Sequence, residues 1–137
     1  MARVLLVIGD SEQGRRVRAL LETAGYAVEP LDGLAQALAA LEASAGRQEC
    51  VLVLDPMPTD GGMDGFHLLA MLRASPKLAG TPCALLMPRM PEVDADRILY
   101  GDRGFHVPDP PESPPTVWVP KSRPEGVLPA LAHLLLP

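Results

Sequence analysis

Short, nearly continuous apolar runs recur along the chain, and between them the apolar residues fall at helical spacing. RVLLVI (3–8) and CVLVLD (50–55) lack polar alternation, as strands buried on both faces do. YAVEP (26–30), PCALLM (82–87) and VWV (117–119) read as three further strands. After the first run, Val17, Leu20, Leu21 and Ala24 fall at i, i+3, i+4 and i+7, which is one helix face, and Gly25 stops that helix. DGLAQALAALEASAG (32–46) predicts a helix ended by Gly46, and Gly65, Leu68, Leu69 and Leu72 mark the face of another. EVDADRILYG (92–101) has room for a short helix. Near the end, Ser122 with Glu125 makes a capping box, with Pro124 in the first turn. The helix it opens is expected to bury Leu128, Leu131, Ala132 and Leu135.

Strand and helix thus alternate about five times. Short helices between buried strands imply right-handed crossovers and a parallel sheet covered on both faces. The chain of 137 residues suits a single domain, with no internal repeat and no linker to divide it. One stretch breaks the pattern. Five prolines between 108 and 115 exclude regular structure there and mark an inserted loop over about 101–116. Its PxxP spacings, Pro108 to Pro111 and Pro111 to Pro114, fit a polyproline ligand, but an ordinary exposed loop is the favoured reading.

Composition narrows the function. A net charge of −5 and a pI near 5.1 argue against a nucleic-acid partner, and 4% aromatic residues leave few surfaces on which bases could stack. The apolar run at the N-terminus is too short for a signal peptide, and no segment is long enough to span a bilayer. A cytoplasmic protein with no membrane partner is expected. Cys50 and Cys83 have no CxxC spacing and read as buried thiols of a reducing compartment rather than a disulfide. His67, His106 and His133 are scattered and read as solvent-facing or loop residues rather than metal ligands. No spacing suggests a Ser-His-Asp or Cys-His set.

In open α/β sheets, chemistry gathers at the carboxyl ends of the strands. Those ends offer Ile8, Gly9 and Asp10, then Asp55, then Met87, then Pro120 and Lys121. Gly9 and Gly14 bracket a loop that could cradle phosphate. However, Arg15 and Arg16 stand where a P-loop carries its lysine and hydroxyl, so a nucleotide-binding enzyme is the least supported reading.

The stretch LVLDPMPTDGGMDGFHLLAMLR (52–73) resembles the central motif of response-regulator receiver domains, where an aspartate ending the third strand precedes a Met-Pro pair and then an Asp-Gly opening a helix. VWVPKS (117–122) resembles the last strand of that family, with its aromatic residue and lysine. ETAGYAV (22–28), LDGLAQAL (31–38) and TPCALLM (81–87) also sit where receivers have comparable segments, so the likeness spans essentially the whole chain. It implies a three-layer α/β/α sandwich whose five-stranded parallel sheet has the flavodoxin-like order 2-1-3-4-5. By the resemblance, Asp55 stands at the phosphoacceptor position, Lys121 matches the lysine after the last strand, and Trp118 stands at the relay aromatic. A phosphoryl dianion repels a carboxylate unless a divalent cation offsets the charge, and receivers hold Mg²⁺ with two acids at the end of the first strand. Here those two positions are Ile8 and Gly9. Met87 stands where a Thr or Ser hydroxyl is expected, Ser122 replaces a proline, and the loop after Asp55 is rebuilt.

The expectation is therefore an atypical, stand-alone receiver that uses no cofactor and acts through protein–protein contact rather than phosphorylation. The chain ends after the last helix, so output is expected to pass through a kinase or downstream target, or through a homodimer on the side running from the fourth strand to the last helix. Asp55 has two readings of equal standing: a strand-end carboxylate paired with Lys121, or a residual phosphoacceptor. Under the second, Asp10 and Asp60, with Asp55 and the backbone of Met57, would hold Mg²⁺. Asp10 reads better as the N-cap of the first helix with Gln13 three residues on, Asp60 as a turn residue, and Asp64 as an N-cap.

Overall fold

The computed structural model describes residues 3–8, 12–31, 34–44, 50–55, 65–76, 78, 80–87, 104–106 and 116–135. Five strands alternate with helices: β1 (Arg3–Val7), α1 (Glu12–Thr23), β2 (Ala27–Pro30), α2 (Leu34–Ser44), β3 (Cys50–Leu54), α3 (Gly65–Ala74), β4 (Cys83–Met87) and β5 (Thr116–Pro120). A 3₁₀ turn (Pro124–Gly126) then leads into α4 (Val127–Leu134). All neighbouring strands are parallel, and their order is β2-β1-β3-β4-β5, the doubly wound arrangement expected from the sequence.

Alternation along each strand sorts the core into two layers. Val4, Leu6, Val51, Val53, Ala84, Leu86, Val117 and Val119 pack beneath α1 and α4, on Val17, Leu21, Val127, Ala130 and Leu131. Leu5, Leu52, Leu54, Cys83 and Leu85 pack beneath α2 and α3, on Ala37, Leu41, Leu68 and Leu72. The central strands are buried on both faces, so their sequences show no polar alternation.

Gly25 ends α1 as predicted. It takes φ +98°, while its N–H donates to the Glu22 carbonyl and the Tyr26 N–H reaches back to Leu21. These two bonds satisfy carbonyls that the last helical turn leaves open. Toward the other edge of the sheet, Arg73 in the last turn of α3 donates to the Thr81 carbonyl and to the buried Thr116 hydroxyl, each at 2.7 Å.

Some local expectations are corrected. The capping box at Ser122 does not form: Ser122 is exposed, and no side chain caps the 3₁₀ turn that begins at Pro124. Because α4 starts only at Val127, its buried face is Val127, Ala130, Leu131 and Leu134; Ala132 is exposed and Leu128 and Leu135 are half-buried. On α1 the buried positions are Gly14, Val17 and Leu21, whereas Ala24 has left the helix and is exposed. His106 is no solvent-facing loop residue; it is buried and bridged to β5. Thr116 belongs to β5 rather than to the inserted loop. Cys50 and Cys83 are free thiols, Cys83 buried and Cys50 half-buried. Burial pushes the Cys50 thiol above its ordinary pKa, and nearby Arg3 opposes that shift. The helix expected at 92–101 and the prolines at 108–115 lie outside the described residues.

Candidate functional site

The carboxyl ends of β3 and β5 bring two charges together. Asp55 follows β3, where its N–H continues the ladder to the Val7 carbonyl at 3.0 Å. Lys121 follows β5, where its N–H donates to the Met87 carbonyl at 2.9 Å. These backbone bonds fix both Cα positions at the same rim of the sheet. There Lys121 Nζ lies 2.9 Å from Asp55 Oδ2, with the two side chains 21% and 7% exposed. Removal from water makes such a pair far stronger in electrostatic terms than a surface ion pair, and makes either partner costly to leave alone. The sequence gives no direct sign of the distance, but it placed both residues at strand ends, and the sheet order does the rest.

A residue that sequence reasoning treated only as a capping partner also acts here. Gln13, on the first turn of α1, donates from Nε2 to the Lys121 carbonyl at 2.8 Å, across 108 residues of chain. Arg16 on the same helix reaches Glu125 at 3.6 Å, a solvent-exposed pair of small energetic weight. No local spacing signals the Gln13 contact, because it exists only once α1 lies over the sheet.

Other predicted site residues are placed differently. Ile8 is 7% exposed and belongs to the apolar cluster under α1 and α4. A hydrocarbon chain thus occupies the position that the receiver resemblance would give to a metal-binding acid. Met87 and Trp118 pack half-buried against the cluster on the α2–α3 side, so their side chains join the core rather than the ion pair. Asp10, Met57, Asp60 and Asp64 lie outside the described residues. A hard divalent cation needs several oxygen ligands. Among the described residues no group of three His, Cys, Asp or Glu side chains could hold one, and the Asp55 carboxylate is already engaged by an ammonium. The other ligands expected for Mg²⁺, Asp10, Asp60 and the backbone of Met57, lie outside those residues. Gly14, the second glycine of the supposed phosphate loop, is the third residue of α1 and is buried there, so it lines no loop.

A parallel sheet of order 2-1-3-4-5 with a carboxylate and a lysine meeting at the ends of β3 and β5 defines a class, the flavodoxin-like α/β domains of the receiver type. More narrowly, the fold of this chain is that of CheY-like response-regulator receiver domains. It superposes on the chemotaxis response regulator CheY4 of Vibrio cholerae with a TM-score of 0.63 and 29% identity, over 98% of this chain and 99% of that one. A putative response regulator from Chloroflexus aurantiacus gives a TM-score of 0.67 at 19% identity, over 97% and 96% of the two chains. The receiver domain of a signal-transduction histidine kinase from Syntrophus aciditrophicus gives 0.63 at 22% identity, over 98% and 87%. No protein-family model and no curated protein matches the sequence.

Proposed function

We propose that this chain is a signalling receiver module that works through contact with a partner protein and does not depend on phosphorylation of Asp55. The observation that carries this reading is the pairing of two features at one rim: the Asp55–Lys121 ion pair at 2.9 Å, and a buried Ile8 at the end of the neighbouring strand. Phosphoryl transfer to an aspartate needs a cation to offset the repulsion between two anions. Here Lys121 supplies positive charge to Asp55. It neutralises the carboxylate but, as a monocation, cannot bridge carboxylate and phosphoryl oxygens as a divalent cation does. The ion pair instead ties the end of β3 to the end of β5, and Gln13 ties that same loop to α1. The surface around β5 is then held in one arrangement, which a partner can read without a chemical trigger. The receiver-type neighbours, two of them described as response regulators and one as part of a histidine kinase, support a signalling role of this kind.

Incubation with acetyl phosphate and Mg²⁺, followed by intact-mass measurement, tests the reading. The expected product is unmodified protein. Stoichiometric phosphorylation that disappears in Asp55→Ala would overturn it.

A further inference from the structure

β5 is the last strand of the sheet, and an edge strand presents unpaired N–H and C=O groups along its open side. At Trp118 those groups are taken by the chain itself. His106 N–H donates to the Trp118 carbonyl and Trp118 N–H donates to the His106 carbonyl, both at 2.8 Å, in an isolated antiparallel bridge. The side chains repeat the pairing: the His106 and Trp118 rings lie 5.5 Å apart at 50°.

The two residues before His106 anchor this short segment. Phe105 is 3% exposed and sits in the apolar cluster under α1 and α4, with its ring 5.2 Å from that of His133 on α4. Gly104 turns the chain with φ +86°, a conformation that a side chain would strain. Its backbone lies directly on Gly126 at the start of α4. A Cβ on Gly126 would come within 2.0 Å of the Gly104 carbonyl oxygen, and one on Gly104 within 3.0 Å of the Gly126 Cα. Two glycines, one buried aromatic ring and one two-bond bridge therefore converge on three consecutive residues.

We propose that residues 104–106 form a fixed strap that closes the edge of β5 at Trp118 and immobilises its indole. The consequence is twofold. Edge-to-edge strand pairing at Trp118, by a second copy or by a partner's extended segment, is barred while the strap is in place. The ring at the relay-aromatic position becomes a static part of the core on the α2–α3 side. The proposal concerns the edge of β5 itself, so it stands or falls separately from the phosphorylation-independent reading.

Amide exchange on the wild-type protein tests it directly. With the strap fixed, the Trp118 N–H exchanges at least about a hundredfold more slowly than an unprotected peptide amide. Protection below about a hundredfold at Trp118, with Val119 inside the β4–β5 ladder still protected, overturns the proposal. Gly126→Ala gives a second test, because its Cβ displaces the Gly104 carbonyl. The expected result is loss of Trp118 protection and a red shift in the emission of this single tryptophan, with helical circular dichroism retained. A folded Gly126→Ala protein whose Trp118 amide stays protected would show that the two glycines do not hold the strap.

Discussion

Asp55 and Lys121 are 66 residues apart in sequence and 2.9 Å apart in the fold. Their positions at strand ends were legible, because each closes an apolar run. Their contact follows from the parallel order, which puts both strand ends at one rim. With Lys121 replaced by Met, the nearly buried Asp55 carboxylate loses its ammonium neighbour, and urea titration should show a loss of about 1–3 kcal/mol. The range is set below that of fully buried pairs because Lys121 retains some contact with water. Adding Asp55→Asn to Lys121→Met should recover most of the loss, since the stranded charge is then gone; full additivity of the two single losses would contradict this. Gln13 and His106 were not legible as they stand. Gln13 was legible only as a capping partner of Asp10, and its bond to the Lys121 carbonyl, like the His106 bridge to Trp118, joins separate segments of the chain.

Among the elements, strands and helices were legible in kind, and the errors lie at their ends. Periodicity fixes which residues share a helix face only once the helix start is known. The last helix illustrates this: Pro124 opens a 3₁₀ turn, α4 begins three residues later, and the buried stripe becomes Val127, Ala130, Leu131 and Leu134. The signal at Ser122 was a sound local motif, yet no side-chain cap forms on that turn. Gly25 shows the opposite case, a stop signal that the backbone honours. A Cβ there would meet nothing within 4 Å, so Gly25→Ala is penalised by its φ of +98° alone. Thermal or urea unfolding should show a loss of about 1 kcal/mol. Gly126→Ala differs in kind, since there the obstacle is the backbone of Gly104 rather than a dihedral angle.

At the scale of the whole molecule, one sheet carries two apolar layers, and every central strand contributes to both. Damage to either layer should therefore be felt by the same cooperative unit. Leu21 on α1 and Leu68 on α3 are both fully buried, on opposite faces. Leu21→Ala and Leu68→Ala should each lower stability by about 2–5 kcal/mol. Each should retain a single unfolding transition by circular dichroism and by Trp118 fluorescence. Separate transitions reported by the two probes would mean that the layers unfold independently.

The sequence by itself determined the alternation of strand and helix, the burial of the central strands, the positions of Asp55 and Lys121 at strand ends, and the absence of an acid at Ile8 and Gly9. These are local properties: hydrophobic period, turn residues, and the identity of a side chain at a strand end. Only the tertiary structure decided that Asp55 and Lys121, a pairing the sequence offered as one of two readings, stand 2.9 Å apart, that Gln13 holds the Lys121 loop, and that Trp118 packs against the core on the α2–α3 side. It also decided that His106, within the stretch expected as an inserted loop, bridges to Trp118 on β5. Each of these depends on segments far apart in sequence being packed together, and no period or motif within one segment carries that information.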